Sequence, residues 1–270
     1  MNQLNPNDLA WCLRRTPKKV LELLKLYPGK FCVAGGFIRS CIANEKVNDV
    51  DIFAADKTHA KIGADFLAAG KGNNGSASRI FESDNAYTIY GYTTTPQIIH
   101  RWTFPNPLDV VPSFDFTIAC AAFWWTNNYQ VTAETYLGGQ PPLAPCWTSA
   151  CDPDFYSDLA AKRLVYRSPV RNEDAGGSML RVLKFYQRGY RIPLDSLGAV
   201  IARLMQGVKW DEVEKTAKLD KISEEEQLGR VLCGLLREVD PDIDPSHIAH
   251  LPSVKAARNI GAAPIEGTEE

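Results

Sequence analysis

Two aspartates, Asp49 and Asp51, follow a pair of glycines, Gly35 and Gly36, with the length of one short helix between them. Side chains two apart on an extended strand share a face, so the two carboxylates would stand side by side. Such a pair can hold two divalent metal ions, which activate a hydroxyl and neutralise a triphosphate. The glycines precede an amphipathic segment, so a helix N-terminus would offer its free N–H groups to a phosphate. The spacing therefore predicts a metal and phosphate site.

Short apolar segments frame both pairs of residues. The run Phe31–Val33 predicts a strand that ends at the glycines, and residues 37–42 place apolar side chains on one face of a short helix. Val50, Ile52 and Phe53 predict a second strand around the aspartates. Together these elements would bring the carboxylates next to the phosphate site. The alternative is an ordinary turn followed by a solvated acidic pair.

The order Gly35-Gly36-Phe37-Ile38-Arg39, then Asp49-Val50-Asp51-Ile52, resembles the signature of polymerase-β-like nucleotidyltransferases. It is most similar to the head domain of bacterial poly(A) polymerases and CCA-adding tRNA nucleotidyltransferases, over roughly residues 30–190. The resemblance implies an α+β fold, in which a mixed β-sheet head flanked by helices is followed by an all-α C-terminal domain. It also implies that Gly35, Gly36 and Arg39 contact the nucleotide, with Arg39 either reaching a phosphate or bracing the carboxylates.

A third acidic residue, Asp115, lies in the most apolar stretch of the chain, residues 114–125, which predicts a central strand pair or a strand and turn. Burial of an unpaired carboxylate is costly, so a partner or a metal ion is expected there. Asp115-Phe116-Thr117 is similar to the DFT motif of the family, which implies that Asp115 joins Asp49 and Asp51 as a catalytic metal ligand. A strand-edge aspartate bonded to backbone is the alternative, and Asp109 is the reserve candidate.

Cations concentrate between residues 159 and 191, where eight Lys or Arg accompany only two acids. Arg181, Lys184 and Arg188 fall on one stripe of a predicted helix. The side expected to face the core carries Leu180, Leu183 and Tyr186. The resemblance implies that these cations contact a nucleotide triphosphate or an RNA backbone across a cleft between the two domains. A solvated basic face is the alternative.

Three departures from the family bear on the substrate. Ser40 stands where the family continues with Asp, and Ser113-Phe114 replaces the Arg-Arg that precedes the third carboxylate. Gly177 stands where the base-selecting motif of CCA-adding enzymes has Arg. A template-like choice between CTP and ATP is therefore not implied.

The resemblance implies two Mg²⁺ ions, for which Mn²⁺ could substitute, and transfer of a nucleoside monophosphate from an NTP, ATP or CTP, with release of pyrophosphate. An RNA 3′ end, that of tRNA first, is the favoured acceptor. The second hypothesis is nucleotidylation of a protein or small molecule by the same fold. The third is a non-catalytic nucleotide- or RNA-binding module, which the intact aspartate pair makes less favoured.

Composition and pattern set the broader limits. The 270 residues are 45% hydrophobic with a net charge of −2, so any basic surface must be local. A change to helical periodicity predicts a catalytic head at residues 1–150, a helical neck and body at 151–262, and a disordered tail at 263–270. Seven scattered cysteines predict reduced thiols. The N-terminus lacks a signal-like core and no apolar run is of membrane-spanning length, so a cytoplasmic protein without membrane contact is expected.

Overall fold

The computed structural model describes residues 1–69, 78–127, 146–168 and 176–239. They belong to two compact units, the first of residues 1–172 and 189–196, the second of residues 173–188 and 197–270. The predicted domain limits stay predictions. The tail at 263–270 and a strand expected at 129–133 lie outside the described residues.

A seven-stranded mixed sheet organises the first unit, as the α+β prediction requires. Its order is β3-β4-β5-β2-β1-β6-β7; β2 pairs parallel with β5, and the other pairs are antiparallel. The strands are β1 Phe31–Ala34, β2 Asp49–Ala54, β3 Arg79–Glu82, β4 Ala86–Tyr90, β5 Thr95–Ile99, β6 Ala121–Thr126 and β7 Cys146–Cys151. Of the two alternatives predicted for residues 114–125, the strand with a turn is confirmed, because residues 114–120 turn before β6 begins.

Five helices and two 3₁₀ segments accompany this sheet among the described residues. They are α1 Pro6–Arg15, α2 Lys18–Leu26, α3 Gly36–Ile42, α4 Lys57–Ala68 and α5 Phe155–Ala160, with 3₁₀ turns at Pro107–Ser113 and Thr117–Ala119. Asp56 caps α4 by accepting the N–H of His59 at 2.8 Å. Helix α2 has no such cap, since Pro17 precedes it and the Thr16 hydroxyl donates instead to the carbonyl of Cys12 at 2.8 Å.

The two faces of the sheet are covered by different elements. On one face α4 approaches so closely that a Cβ at Gly63 would lie 2.9 Å from atoms of Phe31 and Ile98. On the other face the 3₁₀ turn Pro107–Ser113 and Phe114 pack on a core that includes Phe53. Since side chains alternate along β2, Asp49 and Asp51 belong to the face of Phe53.

The second unit is helical throughout its described residues. It contains α6 Gly177–Gln187, most of α7 Leu194–Met205, α8 Trp210–Asp220 and α9 Glu224–Val239. A Cβ at Gly176 would lie 2.8 Å from the carbonyl oxygen of Leu235, so this glycine permits close packing at the start of α6 against α9. Within the described parts of the chain, no helix has the length and apolar character needed to cross a membrane.

Candidate functional site

The turn between β1 and α3 is built around Gly35. This residue has φ +79°, and its N–H donates to the carbonyl of Ala121 at 2.9 Å. A Cβ here would lie 2.9 Å from two ring carbons of Phe114, whereas a Cβ at Gly36 would meet only the Arg39 guanidinium, at 3.5 Å or more. Gly35 is thus required by the fold itself, whereas a Cβ at Gly36 would make only ordinary van der Waals contacts. A phosphate contact by either glycine stays a prediction.

Asp49 and Asp51 stand at the start of β2, next to this turn. Asp49 is exposed and Asp51 half-buried, while Val50 between them is fully buried, as alternation along a strand requires. Val33 pairs with Ile52 in the antiparallel β1–β2 ladder, so β1 runs into the glycine turn at the end of the sheet where β2 begins with the two aspartates. The predicted proximity of the aspartates to the glycine turn is therefore present in the structure.

Two polar residues on β5 flank the carboxylates. In the parallel β2–β5 pair, Thr95 stands beside Asp49 and Gln97 beside Asp51, on the same face of the sheet. These neighbours could not be predicted from the sequence, because the pairing joins strands separated by α4 and the β3–β4 hairpin. Their hydroxyl and amide groups add hydrogen-bonding capacity next to the carboxylates.

Arg39 belongs to a buried polar network under α3. Its Nε lies 3.4 Å from Oε2 of Glu45 and its Nη2 donates to the Ser40 hydroxyl at 2.9 Å, while only 6% of the residue is exposed. The hydroxyl of Tyr190, which is fully buried, donates to the other Glu45 oxygen at 2.8 Å. The guanidinium also lies against Gly36, so its positive charge is held close to the start of β2. Ser40 and Glu45 thus take part in fixing Arg39.

Asp115 occupies a bend between the two 3₁₀ turns rather than a strand, and only 1% of it is exposed. Its carbonyl accepts the N–H of Arg167 at 2.6 Å. Two residues on, Thr117 donates to Asp158 at 2.6 Å, and the same carboxylate accepts Nε of Arg163 at 2.8 Å. This fully buried Asp158 anchors the DFT segment, a role that its position near the chain's basic stretch did not reveal.

A metal ion at this site would have the carboxylates of Asp49 and Asp51 as its protein ligands. Among the described residues, no group of three or more His, Cys, Asp or Glu side chains is arranged to hold a metal ion, and Asp49, Asp51 and Asp115 form no such group. Magnesium is usually held by one or two carboxylates together with substrate phosphates and waters, so the carboxylate pair on β2 fits that ion. A ligand role for Asp115 stays a prediction.

The predicted basic stripe is only partly helical. Arg181 and Lys184 belong to α6, but the helix ends at Gln187, so Arg188 is its C-cap residue. The expected core-facing side is confirmed for Leu180, which is buried, but was wrong for Leu183 and Tyr186, which are 49% and 58% exposed. Val182 and Phe185 are buried instead. Apolar residues occur around most of this helix, so periodicity could not select its buried face. Phosphate contacts by Arg181, Lys184 and Arg188 stay predictions.

A family profile described as "Gad2: Gabija anti-defense 2 family protein" matches residues 5–162. The chain belongs to the Gad2 family. The matched part of this Gad2-family chain contains Gly35, Gly36, Arg39 and all three aspartates, whereas α6 and its cations lie beyond it. No curated protein matches the chain in sequence.

Solved structures similar to this Gad2-family chain are CCA-adding and other tRNA-processing enzymes. The Thermotoga maritima CCA-adding enzyme complexed with tRNA has a TM-score of 0.50 and 17% identity, over 97% of this chain and 60% of that structure. A CCA-adding enzyme in complex with ATP has a TM-score of 0.48 and 17% identity, over 97% of this chain and 61% of that structure. A tRNA-processing enzyme with CTP has a TM-score of 0.46 and 16% identity, over 82% of this chain and 56% of that structure. The chain thus spans less than two thirds of each structure. The predicted resemblance and nucleotidyltransferase-type fold are confirmed.

Proposed function

We propose that this Gad2-family chain is a metal-dependent nucleotidyltransferase, which transfers a nucleoside monophosphate from an NTP to an acceptor hydroxyl with release of pyrophosphate. The observation that carries the proposal is the position of Asp49 and Asp51, which share one face at the start of β2 beside the glycine turn. The nucleotidyltransferase-type fold supports the proposal, because the family resemblance assigns this pair of carboxylates the role of binding metal ions.

In this proposal Asp49 and Asp51 hold Mg²⁺, or Mn²⁺ in its place. The bound ions would lower the pKa of the acceptor hydroxyl and neutralise charge on the departing pyrophosphate. Because Gly36 has no side chain, a triphosphate can approach the backbone at the first turn of α3, next to the Arg39 guanidinium. Arg39, fixed by Glu45 and Ser40, supplies positive charge on the protein side of that turn.

The favoured acceptor is an RNA 3′ end, with tRNA as the first candidate and ATP or CTP as the donor. The CCA-adding enzyme of similar fold that was solved with tRNA supports an RNA acceptor. The family description favours a second candidate, because a chain named for anti-defense could nucleotidylate a protein or small molecule of the Gabija system. Both candidates use the same aspartate pair and differ only in the acceptor.

The test is incubation of the full chain with each α-³²P-labelled NTP, Mg²⁺ and total cellular RNA, beside the variant Asp49→Asn/Asp51→Asn. Loss of both charges removes the ligands of the metal ions, and each 1.4 kcal/mol of lost transition-state stabilisation costs about tenfold in rate. We expect label transfer to fall by roughly a thousandfold or more, while the fold survives because Asp49 is exposed and Asp51 half-buried.

The destination of the label distinguishes the two candidates. Label in RNA that depends on the aspartate pair supports an RNA acceptor, and the preferred NTP identifies the donor. Label on protein or on a small molecule alone supports the second candidate. Equal transfer by the wild type and the double variant would refute the assignment of Asp49 and Asp51 as metal ligands. If no NTP gave any transfer, the proposed nucleotidyltransferase activity would be refuted.

A further inference from the structure

A second set of cations surrounds a cavity in the first unit, away from the residues described so far. The cavity has a volume of about 470 Å³ and is lined by residues 14–18, where α1 ends and α2 begins, and by Thr93 and Thr94 from the β4–β5 connection. Its size lies in the range of ordinary ligand pockets. Its lining supplies three cations, Arg14, Arg15 and Lys18, together with three threonine hydroxyls and no carboxylate.

The three cations are not neutralised within the described structure. Arg14, Arg15 and Lys18 make no side-chain hydrogen bond or ion pair there, and the acids of the same two helices are engaged elsewhere. Asp8 accepts the Tyr156 hydroxyl at 2.9 Å, and Glu22 pairs with Lys19 at 3.5 Å. Three like charges within five residues repel one another, so binding of an anion would relieve that repulsion.

The two arginines are held in place by an aromatic ring, which leaves their N–H groups available. Their guanidinium carbons lie 5.2 Å and 5.7 Å from the centre of the Trp11 ring. The indole N–H of Trp11 in turn donates to the carbonyl of Cys41 at 3.1 Å, which fixes the ring against α3. Stacked guanidinium groups keep their in-plane donors free for a bidentate contact with phosphate.

The N-terminus of α2 points its own donors toward the same cavity. The helix has nine residues and no side-chain cap, and the N–H groups of Lys18 and Lys19 have no acceptor among the described residues. Helix α4, by contrast, begins at Lys57 with Asp56 as its cap. Free N–H groups, the positive end of the helix dipole and three side-chain cations together form an anion site.

We propose that this cavity binds phosphate groups of an RNA backbone. Its lining offers cations and hydroxyls but no aromatic side chain on which a base could stack, so it would read phosphates without regard to sequence. Thr93 and Thr94 lead directly into β5, where Thr95 pairs with Asp49 and donates its N–H to the carbonyl of Asn48 at 3.0 Å. The site therefore lies at the same end of the sheet as the aspartate pair. The choice of RNA rests on the proposed function.

The test measures RNA binding by the full chain without NTP or metal, using the fluorescence anisotropy of a labelled single-stranded oligoribonucleotide over a range of salt concentrations. The variant is Arg14→Gln/Lys18→Gln, which removes two exposed positive charges but keeps a polar side chain at each position. The control is Lys57→Gln/Arg79→Gln, which removes the same charge from exposed positions, one of them also the first residue of a helix. Thr93→Ala/Thr94→Ala is a second variant, which changes the opposite wall and leaves both helices intact.

We expect Arg14→Gln/Lys18→Gln to weaken RNA binding about tenfold or more at low salt. The salt slope should fall by about 0.7 to 1.4, since each phosphate contact with a single strand adds about 0.7 to that slope. The control should change affinity less than about twofold. Equal effects of variant and control, or no RNA binding by the wild type, would overturn the proposal.

Inorganic phosphate provides the second arm. Thermal stabilisation by phosphate that the variant loses, with RNA affinity unchanged, would assign the cavity to a free phosphate compound and overturn its assignment to RNA. Binding in the Asp49→Asn/Asp51→Asn background separates this site from catalysis, because the proposed RNA contact should survive there even if transfer is lost. Loss of transfer and loss of RNA binding are thus distinguishable results.

Discussion

The adjacent glycines at the β1–α3 turn provide a sharp test, because alanine should be rejected at the first and accepted at the second. Gly35 has φ +79° and ψ −135°, a conformation that costs an alanine roughly 1–3 kcal/mol. The new Cβ would also lie 2.9 Å from two carbons of Phe114. That ring packs against Phe53 with 5.7 Å between centroids, so overpacking adds roughly 1–3 kcal/mol. Gly35→Ala should therefore lower the free energy of unfolding by roughly 2–6 kcal/mol.

Gly36→Ala is the matched control. The nearest atom to its Cβ would be Nη1 of Arg39 at 3.5 Å, an ordinary contact, and its φ is not positive. Because Gly36 opens a helix, alanine should leave the free energy of unfolding unchanged or raise it by at most about 1 kcal/mol. If a triphosphate approaches this backbone, the same variant should stay folded and lose nucleotide transfer.

Urea unfolding followed by circular dichroism measures both variants on one scale. We expect the two free energies of unfolding to differ by at least about 2 kcal/mol, with Gly35→Ala the less stable. Values within about 0.5 kcal/mol of each other would refute both the strain at Gly35 and its contact with Phe114.

Three further outcomes are expected. Asp158→Asn weakens a buried acceptor of two hydrogen bonds and should lower the free energy of unfolding in urea by about 2–4 kcal/mol. Arg163→Gln should cost at least as much, about 3–5 kcal/mol, because it leaves the Asp158 carboxylate buried without its cation, and a smaller cost than that of Asp158→Asn would contradict this ranking. Tyr190→Phe leaves Glu45 short of a donor and should cost about 1–3 kcal/mol in the same assay; an unchanged value would show that the bond contributes nothing. Burial, with a smaller effect of Asp152, raises the pKa of the Cys151 thiol from 9.0 to about 11, so its stabilising effect is present below pH 9 and lost as pH rises toward 11. Alkylation of Cys151, followed by mass spectrometry, should be slow at pH 9 and accelerate toward pH 11, and fast labelling at pH 9 would contradict this.

Local pattern was sufficient for the elements that carry the candidate site. Alternation of buried and polar positions around Val50 and Ile52 predicted β2 and placed both aspartates on one face, because strand geometry fixes which side chains share a face. The apolar face of residues 37–42 predicted α3 in the same way. These are interactions between near neighbours in the chain, which sequence spacing encodes directly.

Contacts between distant segments were not predictable in this way. The residues that surround Arg39 come from α3, from the loop at Glu45 and from Tyr190, some 145 residues later. The Thr16 hydroxyl donates back to the carbonyl of Cys12, which leaves α2 without a side-chain cap beside Arg14 and Lys18. Asp115 was expected on a strand, yet residues 114–120 turn and β6 begins only at Ala121.

The sequence by itself determined the pair of carboxylates and the glycine turn, because these depend on residue identity and on periods of two and 3.6 residues. The fold type followed from the resemblance of these motifs to the nucleotidyltransferase family. Only the tertiary structure decided which glycine the fold requires, what holds Arg39 and Asp158, and where a second group of cations gathers. Those features depend on which side chains come within a few ångströms of each other across the sheet and between helices, and no spacing along the chain specifies that.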